Sequence, residues 1–221
     1  MTEVEVAGNP LQRTAEWLHD RCGCLTASRA AAVLSRRKDG KPTAAYEALI
    51  ETLICERVTG QCEGIGTTAA MQWGVDHEDE AREAYEAVTG DLVDLVGFIR
   101  HPEIDFFGAS PDGLVGEDGL LEIKCPYSSA KHLQRVAAGV VPEEYKPQML
   151  VQLLCTGRKW VDFVSYDPRL SGQWAAARLF KVRFEPTEDE LSAALEECKA
   201  FLATVQERYD ALCRGVLGEE K

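Results

Sequence analysis

Ser110-Pro111-Asp112-Gly113 and, ten positions beyond the aspartate, Glu122-Ile123-Lys124-Cys125-Pro126 form the stretch on which the fold of this 221-residue chain turns. In Leu120-Leu121-Glu122-Ile123-Lys124 an extended backbone sends successive side chains to opposite faces. Glu122 and Lys124 therefore share a face with Leu120, while Leu121 and Ile123 take the other. Asp112-Gly113 and Asp118-Gly119 are turn-forming pairs. A chain that leaves a strand at Asp112 and returns through residues 113–119 can set Asp112 beside Glu122. Two carboxylates and a lysine then converge.

Carboxylates that close resist joint ionisation unless a cation lies between them, and Mg²⁺ favours a few carboxylates plus waters. Such a cation polarises a phosphodiester and acidifies water, while Lys124 orients or deprotonates that water and steadies developing charge. Phosphodiester hydrolysis is the reaction the triplet predicts. The same residue types also meet by accident in solvated hairpins. The wider pattern, which includes Glu78 upstream and a helix after Pro126, favours chemistry.

Residues 73–89 read as a helix stopped by Gly90, with Ala81, Ala84, Tyr85 and Val88 in one buried stripe. Glu78 lies on that stripe, where a carboxylate needs a cation or a donor. A second metal, a metal-bound water, or an ion pair with Arg82 one turn on would meet the need. Residues 142–156 form a helix apolar nearly all round except for Gln148 and Gln152. These amides, one turn apart, can hold water or substrate phosphate, or be satisfied within the core.

Strand patterns fall at 92–99, 106–109, 120–124, 160–166 and 179–184, the first three reading as a short antiparallel meander. Helical patterns fall at 11–20, from Thr26 or Ser28 through Leu34, and at 43–58 with Tyr46, Leu49, Ile50, Leu53 and Ile54 on one face. An irregular connection covers 60–66. Thr187 caps a long acidic helix with Leu191, Leu195, Cys198, Leu202 and Val205 inward. The order predicts one α/β domain over residues 1–221. Its parts are N-terminal helices at 11–60, a catalytic core at 73–184 and an acidic C-terminal helix at 187–214.

With 45% hydrophobic and 28% charged residues the chain can bury a sizeable core. No run of eighteen apolar residues is present and the N-terminus is acidic, so the expectation is a soluble protein of the cell interior. The eight cysteines contain no Cys-x-x-Cys pair and read as reduced thiols, small buried hydrophobes rather than zinc ligands. A net charge of -13 excludes indiscriminate coating of nucleic acid. Residues 21–46 nevertheless carry six bases against one acid, and 185–221 ten acids against four bases. One end can meet phosphate.

These residues resemble the phage-type alkaline exonucleases typified by lambda exonuclease, YqaJ-type viral recombinases within the PD-(D/E)xK nuclease superfamily. The matching pieces are Arg21-Cys-Gly-Cys-Leu-Thr-Ala-Ser28, Gly74-Val-Asp-His-Glu78 with Ala81-Arg82, Ser110-Pro-Asp112-Gly, Leu121-Glu-Ile-Lys-Cys-Pro126, Tyr145-Lys-Pro-Gln148 and Tyr166-Asp-Pro168. The resemblance implies a restriction-endonuclease-like core, a mixed central β-sheet flanked by α-helices. It implies metal bound by Asp112, Glu122, the Ile123 carbonyl and Glu78, with Mg²⁺ as the ion and Mn²⁺ as a substitute. Lys124, Glu78 and Gln148 complete the catalytic set.

The same likeness places a terminal 5′-phosphate on Arg21, Ser28 and Ser110. Where the family has a further phosphate-binding arginine, this chain has Ala130 followed by Lys131, a point charge in its place. The family's paired glutamines stand two apart; here Gln148 and Gln152 stand four apart, and Gln148 is taken as the match. The resemblance further implies 5′ to 3′ digestion of linear duplex DNA to 3′ overhangs and mononucleotides. Partners would be duplex ends, a homotrimeric ring and a single-strand annealing protein in phage-type recombination in the bacterial cytoplasm, with no membrane. An endonuclease of the same superfamily and a non-catalytic DNA-end-binding module are the competing readings.

Overall fold

The computed structural model describes residues 9–37, 39–62 and 68–218. Lys38, one of the six bases of residues 21–46, and 63–66 of the expected connection lie outside them. Helices α1 (Ala15–Arg21), α2 (Ala30–Leu34), α3 (Ala44–Thr59) and α4 (Ala69–Thr89) come first, with the short strand β1 (Leu25–Thr26) after α1. Five strands follow: β2 (Val93–Asp94), β3 (Ile99–Arg100), β4 (Phe107–Ala109), β5 (Gly113–Val115) and β6 (Gly119–Lys124). Then come α5 (Ser129–Ala138), α6 (Lys146–Thr156), β7 (Trp160–Tyr166), β8 (Leu179–Phe184) and α7 (Glu188–Leu217).

The main sheet has the order β2-β5-β6-β7-β8, and β1-β4-β3 form a smaller one. Only β6 and β7 run parallel in the main sheet, Glu122 opposite Phe163 and Lys124 opposite Ser165. A parallel neighbour requires a crossover, and α5 and α6 supply it. Helix α4 lays Ala81 and Tyr85 against Leu121, Ile123, Val164 and Tyr166 on one face. Helix α6 lays Met149 and Leu153 against Leu120, Val161 and Phe163 on the other. Strand β6 is thus buried on both sides, and its alternation sends Glu122 and Leu120 toward α6. The result is the predicted α/β arrangement, mixed sheet and flanking helices.

Several expected elements differ. The run 92–99 is two strands, β2 and β3, in different sheets, and the meander does not form. Strand β4 joins β1 and β3, whereas the antiparallel partner of β6 is β5, inside the stretch that reads as a turn. Glycine is needed where β6 starts along its other neighbour, β7: a Cβ at Gly119 would fall 2.0 Å from the Trp160 ring. The stripe of α4 ends at Tyr85, because Val88 is 70% exposed in the last turn, where periodicity continues without a partner to pack on. Helix α4 also starts earlier, at a Thr68 cap. The first two helices are shorter, α1 starting after a Thr14 cap and α2 following a 3₁₀ turn at Ala27–Arg29 that Thr26 does not cap. The acidic helix runs to Leu217, with Ala194 and Phe201 inward beside Cys198, Leu202 and Val205.

Candidate active site

The Asp112 amide donates to the Leu121 carbonyl at 3.1 Å, and the Ile123 amide donates back to Asp112 Oδ2 at 2.6 Å. The β5–β6 return therefore fixes Asp112 at the start of β5 and beside Glu122. Glu122 is fully buried and accepts from three side chains. Gln148 Nε2 reaches Oε1 at 2.7 Å, Gln152 Nε2 reaches Oε2 at 2.5 Å, and Lys124 Nζ makes a direct ion pair with Oε1. Both glutamines act on the carboxylate, so Gln152 belongs with Gln148 despite its different spacing.

Helix α4 brings Glu78 to the same cavity. Its ion-pair partner is Arg13, at 2.7 Å from Oε2, and Arg82 instead pairs with Asp79. The expected Arg82 contact fails because Arg82 turns one position along the helix face. Glu78 Oε1 is buried and has no hydrogen-bond partner. Burial, then the charges of Glu122 and Glu78, push the Asp112 pKa well above the ordinary carboxylate value. Burial lowers the Lys124 pKa, but Glu122 and Asp112 outweigh it and hold Lys124 as an ammonium. Crowded carboxylates, one proton-seeking and one with an orphaned oxygen, fit a hard divalent cation.

A second constellation borders the first. Arg21 Nη1 donates to Ser110 Oγ at 3.0 Å and Nη2 to Ser28 Oγ at 3.2 Å, while Trp17 Nε1 also donates to Ser110 Oγ at 3.0 Å. The guanidinium lies 3.9 Å from the Trp17 ring centroid. Burial and then Arg29 lower the Arg21 pKa to about 10, so an incoming anion would relieve a desolvated cation. Lys131 stands on α5 with Glu144 at 3.1 Å. One cavity of about 1470 Å³ is lined by Arg21, Ser28, Glu78, Asp112, Lys124 and Lys131 among others. Ile123 lines it too.

Arg36 is tied to Glu197 of the acidic helix, so this member of the base-rich stretch 21–46 is already neutralised. All eight cysteines are free, but Cys55 is exposed. Cys22, Glu56 and Cys62 bring ligand atoms within 4.8 Å of one another. Glu56 is nevertheless held by Arg29 at 2.5 and 2.9 Å and by the Gly23 amide at 2.9 Å, an ion-paired junction rather than a second metal centre. Sequence patterning missed Arg13 and also Arg135, which is 5% exposed and donates to Tyr145 Oη at 2.5 Å and Ser165 Oγ at 3.2 Å. Among the described residues no helix is long and apolar enough to cross a membrane.

Residues 16–159 match the model of the YqaJ-like viral recombinase domain. The crystal structure of an alkaline exonuclease from Laribacter hongkongensis, LHK-Exo, is similar at 41% identity and a TM-score of 0.84, over 92% of this chain and 98% of that one. A structure of LHK-Exo in complex with dAMP is similar to the same degree. A phage-related exonuclease from Haemophilus somnus 129PT shares the fold at a TM-score of 0.62 and 16% identity, over 87% and 96% of the two chains. No curated protein matches. A family model covering most of the chain and a 41%-identical exonuclease aligned over nearly all of it lead to one assignment: the chain belongs to the YqaJ-like viral recombinase family and to its alkaline exonucleases, enzymes that hydrolyse DNA.

Proposed function

We propose that the chain is a Mg²⁺-dependent 5′ to 3′ exonuclease that digests one strand from the ends of linear duplex DNA, leaving 3′ overhangs and releasing mononucleotides. The observation that carries this reading is the shared cavity. Asp112 and Lys124 line the same space as Arg21 and Ser28, with Glu122 ion-paired to Lys124 and Ser110 hydrogen-bonded to Arg21. A hydrolytic centre beside a pocket for a terminal phosphate selects ends over interior bonds. The dAMP complex of the Laribacter enzyme, a mononucleotide complex, supports the product.

Asp112, Glu122, Glu78 and the Ile123 carbonyl would hold the cation; when bound, Mg²⁺, or Mn²⁺ in its place, supplies Lewis acidity and lowers the pKa of water in the site. Gln148 and Gln152 keep Glu122 in one orientation. Lys124, as an ammonium, donates to the attacking water or to a non-bridging phosphate oxygen and stabilises charge as it develops. It can take a proton only where its carboxylate neighbours are neutralised. Arg21, with the two serines, receives the terminal 5′-phosphate in charge-assisted hydrogen bonds. Lys131 meets a neighbouring backbone charge.

This reading extends to a homotrimeric ring around the duplex and a single-strand annealing protein that takes the overhang. Incubation with linear and covalently closed circular duplex in Mg²⁺ tests it: the linear form disappears and the circle persists. Equal attack on both would replace it with an endonuclease. Asp112→Ala and Lys124→Ala should each abolish digestion; full activity in either would move the site elsewhere. Light scattering checks the trimer.

A further inference from the structure

We propose that the N-terminal turn at residues 9–14 is part of the active site, with Arg13 as the positioning residue that sets Glu78 for the metal. The inference rests on the reading of Glu78 as a member of the metal site. The turn is held by its own side chains. Asn9 is 2% exposed; its Nδ2 donates to the Val96 carbonyl at 2.9 Å, and its Oδ1 accepts from the Leu11 amide at 2.9 Å. Gln12, also buried, donates through Nε2 to the Val96 carbonyl at 3.1 Å and the Pro111 carbonyl at 2.9 Å. The Leu11 carbonyl packs so closely on Gly97 that a Cβ there would meet it at 3.2 Å.

These anchors bring the turn onto the residue that precedes Asp112, and they set the backbone of the next residue. Arg13 has φ +65°, a left-handed conformation that side chains with a Cβ disfavour. Such outliers persist where surrounding structure enforces them, and they cluster at functional sites. Here the turn sends the Arg13 guanidinium across 65 positions of sequence onto Glu78 Oε2 at 2.7 Å. A guanidinium fork can take both oxygens of a carboxylate. Arg13 takes one, and Oε1 stays buried and unpartnered on a residue that lines the cavity. The ion pair thus fixes the glutamate rotamer while one oxygen is reserved as a ligand atom. Immediately after Arg13, Thr14 caps α1, the helix that carries Trp17 and Arg21 to Ser110. One short segment therefore braces the residues before Asp112 from both sides.

Partners behind a metal ligand typically contribute 10- to 100-fold in metal affinity. Calorimetric titration of the metal-free protein with Mn²⁺, without DNA, reads this directly. Arg13→Ala should weaken Mn²⁺ binding by about 10- to 100-fold, Arg13→Lys should recover part of it, and thermal unfolding should show both folded. Arg13→Gly relieves the left-handed backbone and should lose the same affinity, which separates the guanidinium from the backbone and serves where the alanine variant folds poorly. In a Glu78→Gln background Arg13→Ala should cost nothing more. Unchanged or tighter Mn²⁺ binding in Arg13→Ala, with weaker binding in Glu78→Gln, would overturn the role of Arg13 alone. Unchanged binding in Glu78→Gln would overturn the reading of Glu78 as well.

Discussion

Gln152 Nε2 donates to Glu122 Oε2 at 2.5 Å, and solvent reaches neither side chain. With Gln148 and Lys124 on Oε1, the carboxylate is restrained at both oxygens. Gln152 Oε1 is buried without a partner, so the amide is oriented by the carboxylate and not by its own carbonyl. Gln152→Leu removes the donor together with the orphaned acceptor and leaves Glu122 Oε2 buried without that donor, so some stability is lost as well. Activity should fall by about 10- to 100-fold, the usual consequence of freeing a metal-site ligand. Steady-state digestion of linear duplex alongside thermal unfolding checks this. A leucine variant as active as the parent would remove Gln152 from the site.

Asp112 offers a test of sign. Its folded pKa is raised by burial and by Glu122 and Glu78. The stability that comes with its protonated form is full below the unfolded value of about 4, and it is lost as pH rises through the raised folded value. Asp112→Asn stays neutral throughout. In chelator at pH 8 the variant should unfold at a higher temperature than the parent, and the difference should close at acid pH. A divalent cation should reverse the order by binding the parent. A parent more stable than the variant in chelator at alkaline pH would contradict the charge crowding.

Arg21 makes charge-assisted contact possible with a terminal phosphate, each such bond contributing about 1.5–3 kcal/mol. Digestion of 5′-phosphorylated duplex should therefore exceed that of 5′-hydroxyl duplex by roughly 10- to 100-fold. Arg21→Ala should bring the ratio close to one by slowing the phosphorylated substrate. Equal rates in the parent would mean that Lys131, standing after Ala130, does not complete the pocket.

Alternation makes residues 120–124 legible because β6 is buried on both faces, so each side chain has one place to go. The Asp112–Glu122 approach is legible because Gly113 and Gly119 bracket a tight return. Strand β5 is not, since Leu114 and Val115 between glycines look like a turn and become a strand only by pairing with β6 and β2. Arg13 carries no local signal: its partner lies 65 positions away, and a left-handed arginine follows no pattern. Arg135 is buried because Ser165 and Tyr145 meet it, and neither contact is written in the periodicity of α5.

Asp167, in the Tyr166-Asp167-Pro168 motif at the end of β7, is buried against Arg169. The guanidinium donates to its two oxygens at 2.7 and 2.9 Å, and to the Tyr127 and Pro126 carbonyls at 3.0 and 3.3 Å. The pair therefore ties the β7 exit to the segment that follows Lys124. Burial alone would raise the Asp167 pKa, but hydrogen bonds from Arg169 and Ser129 bring it down to about 2. A folded value below the unfolded one means that the contribution is complete above about pH 4 and is lost as pH falls through about 2. Discounted for the 39% exposure of Arg169, it is about 1–2 kcal/mol at pH 7. Asp167→Asn should lower stability by about that amount at neutral pH, with roughly half the difference gone by pH 3. Urea unfolding at pH 7, 4 and 3 measures it. A difference that keeps its full size at pH 3 would assign the effect to lost hydrogen-bond geometry instead of charge.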